Sequence, residues 1–162
     1  MKQAEWSFQA GDERQTECLG TAIAGVLEPG SVVTLLGELG TGKTRLVRAI
    51  AAGLQVDPET VASPTFVLIR EYSGRLPVFH FDVYRLADTD EFLEIGAEEF
   101  LYGSGVCLVE WADRVSAVLP ADVLEIRITA TGPTSRMFAL CGTGPRSRQL
   151  LSAVQHTLST GG

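Results

Sequence analysis

The sequence predicts a single α/β domain over residues 1–162, a three-layer sandwich around a mixed, mainly parallel sheet that also contains β-hairpins. Two apolar runs, residues 32–36 and 106–109, have the continuous hydrophobicity of strands buried on both faces. A glycine-rich loop and a segment with helical spacing follow the first run directly. The chain has no internal repeat, low-complexity tract or linker that would divide it, so one folded unit is expected.

The elements around the glycine-rich loop are predicted from capping residues and apolar spacing. Residues 6–8 are typical of a short edge strand. Asp12 can cap a helix that Pro29-Gly30 ends. The apolar side of this helix carries Leu19, Ile23, Val26 and Leu27. After the loop, residues 44–54 are predicted to be helical, with apolar residues at Leu46, Val47, Ile50 and Leu54.

The second half of the chain is predicted to contain two hairpins, a buried strand and two helices. In chain order these are strands 65–71 and 76–86, a Glu-rich helix over 88–102, strand 106–109, strands 123–130 and 136–141, and a closing helix over 147–158. The turns of the two hairpins are indicated by Ser73-Gly74-Arg75 and by Gly132-Pro133.

Composition and charge restrict the possible functions. The net charge is −7 and no basic run is present, so tight autonomous binding to nucleic acid is not expected. No stretch approaches the roughly 20 apolar residues of a membrane span, and residues 1–6 lack the apolar core of a signal peptide, so a cytoplasmic protein without a membrane partner is expected. Cys18, Cys107 and Cys141 lack metal-ligand spacing and are interpreted as packing residues. His80 has no second His or Cys nearby to complete a metal site.

Residues 37–44, GELGTGKT, satisfy the Walker A pattern of a phosphate-binding loop. The glycines let backbone N–H groups turn toward phosphate oxygens, and the following helix adds its positive N-terminal dipole. Lys43 is predicted to bind the β- and γ-phosphates of ATP, and the Thr44 hydroxyl to bind Mg²⁺. The predicted nucleotide-binding residues of the loop are Glu38, Leu39, Gly40, Thr41, Gly42, Lys43 and Thr44. Strand, loop and helix in this order predict a P-loop NTPase-like fold.

Glu110 terminates the apolar run 106–109, where a P-loop protein presents its second carboxylate on the magnesium side. A carboxylate next to a buried run is costly unless a cation accompanies it, which favours a metal role. The alternative is a solvated acid at the end of a strand. Trp111 either packs against the sheet or shields the phosphates.

Asp82 lies in a segment where period-two alternation would put His80, Asp82 and Tyr84 on one face of a strand. A carboxylate there could orient or deprotonate the attacking water, or hold a magnesium-bound water. The alternative is an ordinary polar sheet face on which Asp82 pairs with Arg85 or another arginine.

A turn followed by a strand begins at residues 63–66, SPTF, where Thr65 could sense the γ-phosphate as switch threonines do. Together with residues 37–44, 80–85 (HFDVYR) and 108–111 (LVEW), this segment resembles the TsaE family in order and spacing. The resemblance implies a magnesium-dependent bacterial ATPase that supports formation of N6-threonylcarbamoyladenosine at position 37 of tRNA. It also implies TsaB and TsaD as partners, with tRNA contacted only through the complex.

The resemblance also assigns roles to individual residues. The predicted catalytic residues are Lys43, Thr65, Asp82 and Glu110, and the predicted metal ligands are Thr44, Asp82 and Glu110. Glu13 and Thr16 match the segment of the family that lies beside the adenine. Arg136 corresponds to a basic position near the nucleotide, although an outward-facing strand arginine is an equally good interpretation. Arg45 departs from the commonest family pattern, and the segment after residue 139 is not distinctive.

Two other functions fit the same motifs. One is a nucleotide-gated docking module in which hydrolysis is slow and only resets the protein. The other is a P-loop kinase for a small molecule, although no lid segment with clustered arginines is visible. A GTPase is less well supported, because the sequence has no Asn-Lys-x-Asp segment for recognising guanine.

Overall fold

The computed structural model describes residues 4–38, 40–61, 69–84, 86 and 88–160. The described strands are β1 (Ala4–Ala10), β2 (Val32–Leu36), β3 (Ile69–Ser73), β4 (Pro77–Asp82), β5 (Val106–Glu110), β6 (Leu124–Ala130) and β7 (Arg136–Gly142). The described helices are α1 (Glu13–Val26), α2 (Lys43–Gly53), α3 (Thr89–Glu94), α4 (Ala97–Leu101) and α5 (Pro145–Thr160). Short 3₁₀ helices cover Pro58–Thr60 and Ala112–Val118.

The strands form one sheet in the order β1-β7-β6-β2-β5-β4-β3. Its centre, β6-β2-β5-β4, is parallel, whereas the pairs β1-β7, β7-β6 and β4-β3 are antiparallel. The two predicted hairpins are β3-β4 and β6-β7, and β1 is the predicted edge strand. The mixed, mainly parallel sheet is therefore confirmed.

Helices cover both faces of this sheet. On one face, α1, α2 and α5 pack against alternate residues of the central strands; this cluster includes Leu19, Ile23, Val33, Leu35, Leu46, Ile50, Leu108 and Leu151. On the other face, α3, α4 and the 3₁₀ helix Ala112–Val118 enclose a second cluster that includes Phe81, Phe92, Leu101, Val109 and Val115. Each buried side chain of this size stabilises the fold by about 1.5–3 kcal/mol. The predicted three-layer α/β sandwich is confirmed.

Local signals account for most helix boundaries. Asp12 caps α1, with its Oδ1 accepting a hydrogen bond from the Gln15 N–H at 2.9 Å. The single helix predicted over 88–102 is wrong, because α3 ends at Glu94 and α4 begins at Ala97. Gly96 lies between them with a left-handed φ of 82°, a conformation that interrupts an α-helix. No helix within the described ranges is long and apolar enough to cross a membrane.

Two further expectations need correction. The strand predicted over 76–86 ends at Asp82, whose Oδ1 accepts a hydrogen bond from the Tyr84 N–H at 3.0 Å and turns the chain. Tyr84 therefore does not share the strand face of His80 and Asp82.

Cys18 is exposed and is not a packing residue, whereas Cys107 is buried. Burial raises the pKa of the Cys107 thiol to about 12, which keeps this thiol protonated and unreactive.

Candidate nucleotide-binding site

The glycine-rich loop connects the carboxyl end of β2 to the first turn of α2. Gly42 precedes α2 with a φ of 97°, a left-handed conformation that favours glycine. Gly37 lies so close to β6 that a Cβ atom built on it would be 2.6 Å from the Ile128 carbonyl oxygen. The Thr41 hydroxyl donates to the Glu38 carbonyl at 2.9 Å and closes the turn between them. The glycines that the Walker A pattern requires therefore have a structural reason at both ends of the loop.

Lys43 lies inside the loop and is only 5% exposed. Its Nζ donates to the carbonyl oxygens of Gly37 at 2.8 Å and Glu38 at 2.9 Å. The same atom lies 3.9 Å from the centroid of the Trp111 ring, within the range of a cation–π interaction. Burial lowers the pKa of the Lys43 ammonium from its usual 10.5, and nearby carboxylates, of which Glu110 acts most strongly, oppose this only in part.

Glu110 is the last residue of β5 and is 2% exposed. The Thr44 hydroxyl, in the first turn of α2, donates to its Oε1 at 3.2 Å and lies 3.4 Å from its Oε2. The structure thus brings together two of the three residues predicted as magnesium ligands. It excludes a solvated strand-end acid, because the carboxylate is buried and has specific partners.

Asp82 ends β4 and is the register partner of Glu110 in the neighbouring parallel strand. Because the carboxyl ends of parallel strands lie at one edge of a sheet, the Asp82 and Glu110 carboxylates lie at the same edge as the glycine-rich loop. A cleft of about 430 Å³ is lined by Gly40, Gly42, Lys43, Thr44, Arg45, Arg48, Asp82, Glu110, Trp111 and Arg136. The alternative partner considered for Asp82, Arg85, lies outside the described residues.

Arg136, the first residue of β7, faces the loop. Its Nε donates to the Thr41 carbonyl at 2.7 Å, and its Nη1 donates to the carbonyl oxygens of Gly132 at 3.0 Å and Ser135 at 2.8 Å. The guanidinium group therefore ties the glycine-rich loop to the β6-β7 hairpin. Of the two interpretations of Arg136, the position beside the loop is the one observed.

The residues predicted beside the adenine lie in the first turns of α1. Glu13 forms an ion pair of 3.0 Å with Arg45, which links α1 to the helix that follows the loop. Thr16 is 2% exposed. Neither residue lines the cleft that holds Asp82 and Glu110. The predicted positions Leu39 and Thr65 lie outside the described residues.

The sequence did not reveal three features of the site. His80 is fully buried, and its Nε2 lies 2.5 Å from Glu110 Oε2. A single histidine in a sequence does not indicate such a contact with a distant carboxylate. Tyr84 packs against Trp111 with the two rings tilted by 44° and their centroids 4.7 Å apart. A second cleft of about 620 Å³ lies between the loop and β6, and its lining residues are Leu36, Gly37, Glu38, Gly40, Thr41, Trp111, Asp113 and residues 127–130. No motif in β6 predicted this cleft.

Comparison with known proteins decides the family. The family model described as "Threonylcarbamoyl adenosine biosynthesis protein TsaE" matches residues 10–138. The chain belongs to the TsaE family. A protein of Bacillus subtilis named "tRNA threonylcarbamoyladenosine biosynthesis protein TsaE" is 39% identical over 151 residues, covering 93% of this chain and 92% of that protein. The protein of the same name from Treponema pallidum is 47% identical over 115 residues, covering 70% of this chain and 84% of the relative.

A solved structure supports the fold. The "Crystal structure of Bacillus subtilus YdiB" superimposes with a TM-score of 0.81 at 31% sequence identity, covering 96% of this chain and 97% of that one. The region matched by the TsaE family model contains the glycine-rich loop, Asp82, Glu110 and Arg136. The helix α5 lies beyond it. The residues that surround the cleft thus belong to the part of the chain that defines the family.

The donor set of this TsaE-family site fits Mg²⁺. The Glu110 carboxylate and the Thr44 hydroxyl are hard oxygen donors that lie side by side at the edge of the cleft. Among the residues placed by the structure, no three His, Cys, Asp or Glu side chains form a group that could hold an ion. An ion bound here would need further ligands from phosphate oxygens and water, as Mg²⁺ commonly has in nucleotide sites.

Proposed function

We propose that this chain is a magnesium-dependent ATPase that hydrolyses ATP to ADP and phosphate and supports formation of N6-threonylcarbamoyladenosine at position 37 of tRNA. We further propose that it acts as a single domain in the cytoplasm together with TsaB and TsaD. The observation that carries the proposal is the convergence of Lys43, Thr44, Asp82 and Glu110 on one cleft beside a Walker A loop. The names of the TsaE relatives supply the role in tRNA modification.

Phosphate binding would use groups that the loop already presents. The first N–H groups of α2 are without helical partners and carry the positive end of the helix dipole. Lys43 would exchange its bonds to the Gly37 and Glu38 carbonyls for bonds to phosphate oxygens. Arg136 would keep the loop in place through the Thr41 carbonyl.

The carboxylates of Glu110 and Asp82 would have different roles in hydrolysis. Glu110 and Thr44 would hold Mg²⁺, which when bound neutralises charge on the β- and γ-phosphate oxygens. Asp82 lies at the next strand end, where it can orient the attacking water and accept its proton. Phosphoryl transfer requires little covalent chemistry from the protein, so positioning of this kind supplies most of the catalysis.

The charge of the chain supports an indirect role toward tRNA. At a net charge of −7, the protein would repel a phosphate backbone unless a partner supplied positive charge. Work on tRNA through TsaB and TsaD is therefore more consistent with this surface than direct binding.

Phosphate release from ATP tests the proposal. It is measured for the purified chain alone, with TsaB and TsaD, and for Lys43→Ala under both conditions. Arg14→Ala, at an exposed position of α1, is a control for the loss of a positive charge outside the cleft. We expect slow hydrolysis that the partners accelerate and that Lys43→Ala abolishes. Absence of hydrolysis under every condition would overturn the ATPase.

One observation favours the nucleotide-gated docking module as a second candidate. Lys43 is bonded to the carbonyl groups of its own loop, so a nucleotide has to break these two bonds to engage it. Such a change could prepare a docking surface without rapid hydrolysis. The affinity for TsaB and TsaD, measured with ATP, ADP and a non-hydrolysable analogue, would differ between nucleotides in a docking module. Equal affinities would exclude it.

A further inference from the structure

His80 is a buried polar residue that has no role in the hydrolysis mechanism proposed for Lys43, Thr44, Asp82 and Glu110. It lies in the middle of β4 and is fully shielded from solvent. Its Nε2 is 2.5 Å from Glu110 Oε2, and its Nδ1 is 3.3 Å from the Tyr72 hydroxyl on the neighbouring strand β3. A line of hydrogen-bonding groups thus runs from the edge strand β3 through His80 to the carboxylate that faces Thr44.

The hydrogen-bond partners of the His80 ring show which of its two nitrogens donates. A carboxylate oxygen only accepts, so the Nε2–H of His80 donates to Glu110. At the other nitrogen, the Tyr72 hydroxyl can donate to Nδ1. The imidazole is therefore held between two groups and presents one N–H to one carboxylate oxygen.

This arrangement determines the orientation of Glu110. With Oε2 bonded to His80, both carboxylate oxygens face the Thr44 hydroxyl, at 3.2 Å from Oε1 and 3.4 Å from Oε2, and Oε1 is the one that His80 does not engage. A glutamate without such a bond has rotational freedom that it must lose when it binds an ion. Bonds to the carboxylates that ligate a metal typically contribute a factor of roughly 10–100 to metal affinity.

We propose that His80 is a positioning residue for magnesium, acting through Glu110 rather than by contact with the ion or the nucleotide. The inference rests on the proposed function, because it assumes that Glu110 binds Mg²⁺ beside ATP. A histidine that only filled a polar space in the core would stabilise the fold but leave the coupling between Mg²⁺ and ATP unchanged. The Tyr72 contact orients the ring itself.

Two amide variants separate the bonds that the ring makes. In His80→Gln, the side-chain N–H₂ can reach the position of Nε2 and still donate to Glu110. In His80→Asn, the shorter amide lies near the position of Nδ1, so it can meet Tyr72 but cannot reach Glu110. Both variants bury one amide in place of one imidazole, so each is the matched control for the other.

The affinity for ATP is measured by calorimetry without Mg²⁺ and at increasing Mg²⁺, and thermal unfolding is recorded for each variant. We expect His80→Asn to need roughly 10–100 times more Mg²⁺ for its half-maximal effect, with the affinity for metal-free ATP within about twofold of wild type. His80→Gln should retain most of the wild-type magnesium dependence. Tyr72→Phe should shift it less than His80→Asn, because the bond from His80 to Glu110 remains.

Several outcomes would overturn the inference. If His80→Asn and His80→Gln have the same magnesium dependence, whether shifted or not, the bond to Glu110 does not position the metal ligand. If one amide variant fails to fold, the other decides alone: wild-type magnesium dependence in His80→Asn, or a shift of roughly 10–100-fold in His80→Gln, overturns the inference. If the wild-type chain binds ATP but Mg²⁺ has no effect, the metal role of Glu110 fails together with the inference. If the wild type does not bind ATP at all, the proposed function itself fails.

Discussion

The ammonium group of Lys43 lies 3.9 Å from the centroid of the Trp111 ring while it donates to two carbonyl oxygens of its own loop. Trp111 directly follows Glu110 and has a left-handed φ of 62°, which is uncommon for an aromatic residue. Tyr84 packs against the same ring. The indole is therefore held over the cation by local backbone geometry and by a second aromatic ring. A phosphate that engages Lys43 has to change this contact.

Trp111 should therefore report nucleotide binding. The other tryptophan, Trp6, lies in β1 at the edge of the sheet, and Trp6→Phe leaves Trp111 as the only indole emitter. We expect ATP to change the emission of the Trp6→Phe protein, and Lys43→Ala to remove that change. Unchanged emission at ATP concentrations that calorimetry shows to be saturating would contradict a movement of Lys43.

Glu110→Gln should weaken magnesium binding without weakening the binding of the nucleotide itself. The amide has the size of the carboxylate and can still accept from Thr44, but it is a weak ligand for Mg²⁺. Magnesium-dependent phosphate release should fall by roughly tenfold or more, while binding of metal-free ATP remains within a few-fold of wild type. Glu125→Gln, on β6, which β2 separates from β5, is a control for loss of a strand carboxylate. Equal hydrolysis by Glu110→Gln and wild type would remove Glu110 from the metal site.

Asp82 has two roles that substitution can separate, since it turns the chain after β4 and faces the cleft. Asp82→Asn keeps an oxygen that can accept from the Tyr84 N–H but loses the base. We expect both Asp82→Asn and Asp82→Ala to lower kcat by roughly 100-fold or more, with a smaller change in affinity for Mg²⁺ and ATP. A fully active Asp82→Asn protein would restrict Asp82 to the turn.

Arg136→Ala should loosen the glycine-rich loop. The guanidinium group donates to the Thr41 carbonyl, and hydrogen bonds to charged groups contribute about 1.5–3 kcal/mol. We expect ATP affinity to fall by roughly tenfold or more, and the amide hydrogens of residues 40–44 to exchange faster in the free protein. Arg70→Ala, at an exposed strand position of β3, should change neither quantity. If amide exchange in the loop is unchanged, Arg136 does not order it.

Local patterns predicted the elements that carry the site. The continuous apolar runs identified β2 and β5, because a strand covered on both faces needs no polar alternation. The Walker A pattern identified the loop, since its glycines are required locally by φ and by close approach to β6. Glu110 was found because it ends a buried apolar run, where a P-loop protein presents its second carboxylate on the magnesium side.

Contacts between distant segments could not be predicted in the same way. The bond from Arg136 to Thr41 joins residues 95 positions apart, and the bond from His80 to Glu110 joins residues 30 apart. Both depend on the strand order, which places β4 beside β5 and β6-β7 beside the loop. The break at Gly96 was missed for another reason: a single glycine within a helical pattern is compatible with a continuous helix as well as with two short ones.

Asp122 gives a prediction for stability that is independent of the nucleotide. Its Oδ2 accepts from the Arg146 N–H and its Oδ1 from the Ser147 N–H, both at 2.9 Å, in the first turn of α5. Partial burial alone would raise the pKa of this carboxyl. The hydrogen bonds from Ser147 and Arg146, with the positive charge of Arg146, outweigh burial and lower the pKa below its usual 3.8.

Asp122→Ala should lower the free energy of unfolding by about 1 kcal/mol at pH 7, as is typical when a helix loses a capping side chain. Because the pKa is lower in the folded state, the ionised carboxylate stabilises the protein fully above pH 3.8, and this contribution declines as the pH falls through the folded-state value. Urea unfolding should therefore be measured from pH 7 to below pH 3.8. The difference in the free energy of unfolding between wild type and Asp122→Ala should become smaller as the pH falls. Glu17→Gln, at an exposed position of α1, serves as the control. A difference that is the same at pH 7 and in acid would mean that the charge of Asp122 does not cap α5.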